Sequence, residues 1–509
     1  MASTLKNNPI SIVLIMAPLF QLMVFTFGVY SGYDAALFVI PMVLLCIIAL
    51  GLIYYFIKKQ DLKPDWEKIF LYVSVTCAVC VLCLNPPMMV PDEYAHFYRA
   101  YSIADGNIWA EAAVNGIMGN YMPSNITPDP GVWGQQTVEL STFRRLFFSV
   151  FSQNEEWISQ NNTLVYFPLV YLPQALGVFL SKSIRMSIYW VLFFGRLFSF
   201  LAYFGMCYLA IKIIKERYKP IMLFVSLFPM AFYEGCSFAT DSMVISSCYL
   251  MIASALRSDA YFKSKKANLL MYFAGFCAAM GKFTYWPLIF LPWINHVQRK
   301  YNKKGLISFN ILATLCMIAW NLFVVINIKG IAPDSAVVPT EQLKYILSHI
   351  FSYAAMLLAD MIKKVPTLYA QMFDIGWFDH VMYGLLFASP LAVLFFCFVK
   401  TEDDPLFSTK KTGKILFILL VILAVYALIE TALYLTWTPV GENVIMGVQG
   451  RYLIEVLPLI MIFVKEVFCK FTIYFKRGNE RKTALIATLP LMYLVVYLGI
   501  TYWIKFIIM

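Results

Sequence analysis

The residues of this chain best suited to chemistry start with Asp92, Glu93 and His96. They lie in the stretch Pro86-Pro87-Met88-Met89-Val90-Pro91-Asp92-Glu93-Tyr94-Ala95-His96-Phe97-Tyr98-Arg99. A carboxylate can take the proton of an attacking hydroxyl, and cations can hold a leaving phosphate. Cations suited to that task are Lys282, in Gly281-Lys282-Phe283-Thr284-Tyr285-Trp286-Pro287, and Arg451, in Gln449-Gly450-Arg451-Tyr452. Further acids are Asp241, in Phe238-Ala239-Thr240-Asp241-Ser242, and Asp374 and Asp379, in Phe373-Asp374-Ile375-Gly376-Trp377-Phe378-Asp379. Together these parts suit transfer of a sugar from a lipid-linked phosphate, with Trp109, Trp133, Trp377 and the tyrosines as surfaces for sugar and lipid. Each also has a plainer reading. The stretch from Pro86 to Arg99 is equally a capped interfacial helix with solvated charges. Asp241 and Asp379 can cap helices, and Lys282 and Arg451 can bind lipid headgroups. Their joint placement on one side of a membrane favours the chemical reading.

These side chains need elements to hold them. After Pro91 the pattern predicts a helix with Asp92 and Glu93 in its first turn, where the helix dipole favours acids. Such a helix places Asp92, His96 and Arg99 on one face. Tyr94, Phe97, Tyr98 and Tyr101 would then rest on the membrane surface. The 509 residues are 61% hydrophobic and 14% charged, with mean hydropathy +0.71. This excludes a soluble domain and indicates an all-α integral membrane protein of many spans. The net charge of +11 does not indicate a nucleic-acid partner, because the basic residues sit in short clusters between apolar runs. None of the eleven cysteines lies between Cys83 and Cys207 or between Cys316 and Cys397, so the long polar loops carry no disulfide framework. Cys77, Cys80 and Cys83 recur every third residue with no histidine or acid between them, and read as packing residues. The first apolar run lacks a small-residue cleavage site and reads as a retained helix.

A span needs about 20 apolar residues. Thirteen candidates are 9–30, 35–57, 69–89, 188–211, 220–238, 241–257, 267–282, 283–298, 306–328, 381–400, 415–437, 451–469 and 484–506. With the N-terminus inside, Lys6 and the loops 58–68, 212–219, 257–266, 298–305, 400–414 and 465–482 hold 27 of the 40 lysines and arginines, and the C-terminus lies outside. Residues 1–68 form two N-terminal helices and an inner loop. Residues 69–470 form the core, and 471–509 a last inner loop and helix. Two larger outer loops are expected at about 91–187 and 329–380. Leu164–Leu180 is short and broken by Pro168 and Pro173, and reads as a re-entrant or interfacial helix. Residues 106–163 read as irregular structure with little core, and Thr340–Lys364 as an amphipathic interfacial stretch.

Val90-Pro91-Asp92-Glu93-Tyr94-Ala95-His96-Phe97 resembles the Pro-Asp-Glu-x-x-His-Phe signature of a bacterial family of polytopic membrane proteins of unassigned function. Gly376-Trp377-x-Asp379 and Gln449-Gly450-Arg451-Tyr452 look like that family's later motifs. The family in turn is similar to the GT-C superfamily of polyprenyl-phosphate-sugar-dependent glycosyltransferases, which carry an acidic motif in the first outer loop. Tyr166-Phe167-Pro168-Leu169-Val170-Tyr171-Leu172-Pro173, Thr240-Asp241-Ser242 and Lys282 are further echoes, over about residues 69–470.

The resemblance implies a GT-C-like transferase at the outer face of a bacterial cytoplasmic membrane, inverting, with an undecaprenyl-phosphate-linked sugar as donor. The acceptor would be a surface glycan or glycolipid. It maps the catalytic acid to Asp92 or the adjacent Glu93, with His96, Arg99, Asp241, Lys282, Trp377, Asp379, Gln449, Arg451 and Tyr452 as substrate-binding candidates. No cofactor is required, although Asp92 and His96 have the spacing of two helical ligands to a divalent metal. Competing readings are a transporter or flippase of lipid-linked sugars, a glycan polymerase or ligase, and a non-enzymatic assembly protein. Transport would call for ionisable residues deep in several helices, for which Arg196 and Glu430 are the main candidates.

Overall fold

The computed structural model describes residues 9–32, 36–59, 64–112, 117–126, 140–298, 302–328, 336–376, 380–399, 411–468 and 480–502. Three helices lead: α1 (Pro9–Ser31), α2 (Ala36–Lys59) and α3 (Trp66–Leu84). They pack on one another as apolar rods, and α3 is the most buried of the three. Asp65 caps α3 by accepting from the Lys68 N–H at 3.2 Å. Many large apolar side chains of α1 and α2 face outward, including Ile12, Leu19, Phe27 and Tyr55. Such a surface is stable against lipid and not against water.

The loop after α3 leads to α4 (Glu93–Ala104). Beyond it come β1 (Glu111–Ala112), β2 (Met118–Pro123), α5 (Leu140–Phe148) and β3 (Glu155–Ser159). The expectation of irregular structure over 106–163 is corrected here. The three strands form an antiparallel sheet in the order β1-β2-β3, with Asn120 opposite Ile158. No apolar alternation long enough to signal strands exists in this stretch; the pairing is completed by Asn120 and Gln160, whose side chains both donate to Ser102 Oγ of α4, at 3.0 and 2.7 Å.

Residues Leu164–Leu180 form no helix long enough to cross a membrane. A 3₁₀ turn (Pro168–Tyr171) leads into α6 (Leu172–Ser183), only 12 residues long. It lies along α7 (Ile188–Ile213) so closely that a Cβ on Gly177 would sit 2.3 Å from the Phe194 carbonyl oxygen.

The region 220–298 breaks into short pieces. These are α8 (Lys219–Ser226), α9 (Pro229–Gly235), α10 (Asp241–Ala255), α11 (Lys265–Gly281) and a 3₁₀ segment (Phe283–Gln298). Every residue of α10 is buried, which makes it the central rod of the molecule. Then follow α12 (Lys303–Asn327), α13 (Pro339–Ser348) and α14 (Ile350–Gln371), the last two bent by 103°. A two-stranded pair, β4 (Asp374–Ile375) with β5 (His380–Val381), precedes α15 (Tyr383–Phe398) and α16 (Lys411–Thr436). A 3₁₀ turn (Gly450–Val456), α17 (Leu457–Val467) and α18 (Glu480–Val496) are the last described elements, with a π-helical extension, Tyr497–Tyr502.

Among the described residues, seven helices are long and apolar enough to cross a membrane: α1, α2, α3, α7, α12, α16 and α18 with its extension. The bent pair α13–α14 makes an eighth if counted as one broken span. The expectation of thirteen full spans is therefore not met. Prolines at 220, 229, 287 and 292 stop or tighten helices that hydropathy alone reads as continuous. The protein is predominantly helical rather than purely so. Its described cysteines are free, with Cys46 and Cys77 sulfurs 3.8 Å apart in a packed interface.

Candidate active site

The segment Asn85–Asp92 is tightly constrained. Met88 and Asp92 both have positive φ, at 66° and 61°. Side chains other than glycine seldom adopt that conformation. Asp92 is thus not in the first helical turn but precedes it. The His96 N–H bonds the Asp92 carbonyl at 3.2 Å, which makes Asp92 the cap residue, yet its carboxylate makes no capping bond. Because Asp92 is off the helix, the expected single face of Asp92, His96 and Arg99 does not form. Tyr98, Tyr101 and Phe97 are buried in the protein core, not spread on a membrane surface.

The two adjacent acids are separated completely. Asp92 is about half exposed, with side-chain exposure of 54%, while Glu93 is fully buried. Arg196 of α7 donates to Glu93 from Nε at 2.7 Å and from Nη2 at 2.5 Å, and the Phe238 N–H adds a third bond at 3.2 Å. Asp92 instead faces Arg451 Nη2 at 3.4 Å. Arg451 Nη1 lies 3.4 Å from Glu234 Oε1, and its Nε donates to Gln449 Oε1 at 2.7 Å. Lys282, at the end of α11, pairs with Asp241, the first residue of α10. Tyr452 brings its ring to 5.1 Å from the Lys282 ammonium, and its carbonyl accepts from the Tyr285 hydroxyl at 2.9 Å.

His96 closes one side. Its Nδ1 is 2.7 Å from the Tyr171 hydroxyl, and its ring lies 5.6 Å from that of Tyr166. Burial pushes the imidazole down to about 4, against the opposing pull of Asp92 and Asp241, so it is neutral at physiological pH. Burial likewise raises the Tyr166 phenol to about 12.

The structure therefore brings together Asp92, His96, Asp241, Lys282, Gln449, Arg451 and Tyr452, which the sequence singles out separately. Glu93 and Arg99 stand apart. Arg99 is buried and donates from Nη2 to the Ile108 carbonyl at 2.7 Å. Trp377 and Asp379 lie outside the described residues, as does Trp133. Asp374 is a buried strand residue. Trp109 is exposed and packs with Phe323 and Trp320 at the end of α12.

Sequence reasoning missed Glu234 and Glu455. Both are almost fully buried, and both feel Lys282 and Asp241 electrostatically. A lone acid inside an apolar run is the signal that marks them. Among the described residues no group of three or more His, Cys, Asp or Glu is arranged to hold a metal ion. His96 turns its Nδ1 to Tyr171, and Asp92 precedes the helix.

A half-exposed carboxylate beside a guanidinium, in a cluster rimmed by aromatic hydroxyls, can accept a proton beside a bound anion. A family model described as "Predicted membrane protein (DUF2142)" matches residues 75–463, the range that holds every member of this cluster. No curated protein and no solved structure matches the chain.

Proposed function

The chain belongs to the DUF2142 family of predicted membrane proteins, and we propose that it is a membrane glycosyltransferase of the GT-C kind. It moves a sugar from an undecaprenyl-phosphate-linked donor to a cell-surface glycan or glycolipid at the outer face of a bacterial cytoplasmic membrane. The observation that carries this reading is the position of Asp92. It is the one cluster carboxylate that is substantially exposed, and it sits 3.4 Å from a buried guanidinium. In the proposed step the acceptor hydroxyl attacks the anomeric carbon. Its proton passes to Asp92. The bond from that carbon to the phosphate oxygen breaks, and its electron pair leaves with the lipid phosphate, with inversion.

Arg451 and Lys282 would receive that phosphate. The two 3.4 Å contacts of Arg451 are longer than the about 2.8 Å of a tight charge-assisted bond. The shorter bond of the guanidinium is the one from Nε to Gln449 Oε1, at 2.7 Å. Tyr452, Tyr166 and Gln449 would orient donor groups, and Trp377 and Asp379 are further candidates from the sequence. Glu93, with both oxygens engaged by Arg196, has no role at the reacting atoms.

The test uses purified protein in vesicles with polyprenyl-phosphate sugars and surface-glycan acceptors. Wild type should release polyprenyl phosphate and form a glycosylated product, and Asp92→Asn should lose at least about 100-fold in rate. In a deletion strain, wild type but not Asp92→Asn should restore the missing glycan sugar. Full activity in Asp92→Asn removes the base assignment. Movement of donor across the bilayer with no product would replace the transferase by a transporter.

A further inference from the structure

We infer that Arg196 is a positioning residue whose task is to set the Asp92 carboxylate against Arg451. One buried guanidinium holds both ends of the segment that carries Asp92. At the start, Nη1 donates to the Asn85 carbonyl at 2.5 Å and Nη2 to the Pro86 carbonyl at 2.9 Å. At the end, Nε and Nη2 hold the Glu93 carboxylate, which also accepts from the Phe238 N–H. Between these fixed ends lie Pro86, Pro87 and Pro91 and the two positive-φ residues Met88 and Asp92. A segment so short and so stiff has few ways to join its ends.

A strained conformation persists only where its surroundings over-determine it, and here Arg196 supplies the tie. Its place supports a function beyond packing. A charged residue within an apolar span is costly and is retained where it has a task. Arg196 sits inside α7, 2% exposed, among Leu192, Phe193 and Phe200. Its fork matches a carboxylate and two carbonyls at once, which a lysine cannot do. Glu93 thus serves as the anchor and Asp92 as the reagent, and adjacent acids divide the work because the clasp forces their side chains apart.

The kinetic half of the test rests on the glycosyl-transfer reading, and the labelling half does not. In full-length protein, Asp92→Cys places a thiol where the carboxylate stood, while the other described cysteines are buried or half-buried. Its reaction with a membrane-impermeant maleimide is followed against pH, with the unsubstituted protein as background. Beside Arg451 the thiol should titrate below the usual value of about 8.5. Adding Arg196→Lys should return it toward about 8.5. If that variant does not fold, Glu93→Gln, which keeps the side chain's volume and one acceptor oxygen, takes its place.

In the native-Asp92 background, Arg196→Lys should lower kcat by about 100-fold, as expected for a reactive group displaced by about 1 Å. The donor KM should stay within about twofold. An unchanged thiol titration in the Arg196→Lys background, or a thiol that already titrates normally beside native Arg196, overturns the proposal. Wild type that transfers no sugar overturns the functional reading instead, and the thiol titration still decides the role of Arg196.

Discussion

Gly450 stands where the turn bearing Arg451 meets α14. A Cβ added there would lie 1.9 Å from the Leu368 carbonyl oxygen, 2.8 Å from its carbon and 3.0 Å from the Gln371 Cβ. The opposing atoms are helical backbone and cannot swing aside. Gly450→Ala must therefore push the 3₁₀ turn off α14 by about 1.5 Å to reach ordinary contact. The Gly450 N–H bond to Gln371 Oε1, 2.9 Å long, would be lost. Overpacking costs about 1–3 kcal/mol and the lost bond about 1 kcal/mol, so about 2–4 kcal/mol in all.

The neighbour, Arg451, already meets Asp92 and Glu234 at 3.4 Å. A displacement of about 1.5 Å away from both acids would take these contacts beyond ion-pair distance, and under the proposed reaction transfer should fall about 100-fold. Thermal unfolding in detergent and the vesicle assay read the two effects. Gly205→Ala is the control. Nothing lies within 4 Å of its added Cβ inside α7, and it should stabilise by about 0.5–1 kcal/mol through helix propensity alone. If Gly450→Ala melts with wild type and transfers at full rate, the contact with α14 does not set the position of Arg451.

Asp92→Asn should slow transfer at least about 100-fold while leaving the melting temperature close to wild type, since its side chain is half exposed and caps nothing. Lys282→Met leaves Asp241 buried without its ammonium and should cost about 3–5 kcal/mol. Adding Asp241→Asn should recover part of that loss, read from melting of both singles and the double. His96 is depressed to about 4 by burial. Its contribution to stability is therefore complete above the unfolded value near 6.5 and is lost as pH falls toward 4, by up to about 3 kcal/mol. Wild type should lose stability over that window relative to His96→Gln, and the pH–rate profile should show no inflection near 6.5 from this imidazole.

Most of the members of the cluster were legible one at a time because a lipid-facing chain makes polar residues scarce, and scarcity is informative. Asp92, Asp241, Lys282 and Arg451 stand out against apolar neighbours. The membrane character was equally plain from composition. Where reading along the chain failed, it failed on breaks and on pairing. Hydropathy counts apolar residues but does not see that Pro229 starts a new short helix or that Pro287 and Pro292 lie in a 3₁₀ segment, so short buried rods read as full spans. The three-stranded sheet is tied to α4 by hydrogen bonds from Asn120 and Gln160 to Ser102, which no local periodicity announces.

The amino-acid order by itself determined that the chain is a helical membrane protein and that Asp92 and Glu93 sit side by side at the end of an apolar helix. It could not say which acid is which. That choice depends on Arg196, more than a hundred residues away, and on Phe238, which close around Glu93 and leave Asp92 turned toward Arg451. Adjacent residues share a sequence environment but not a dielectric one. Only the tertiary fold decides which carboxylate is buried and bonded and which is left half in solvent beside a cation.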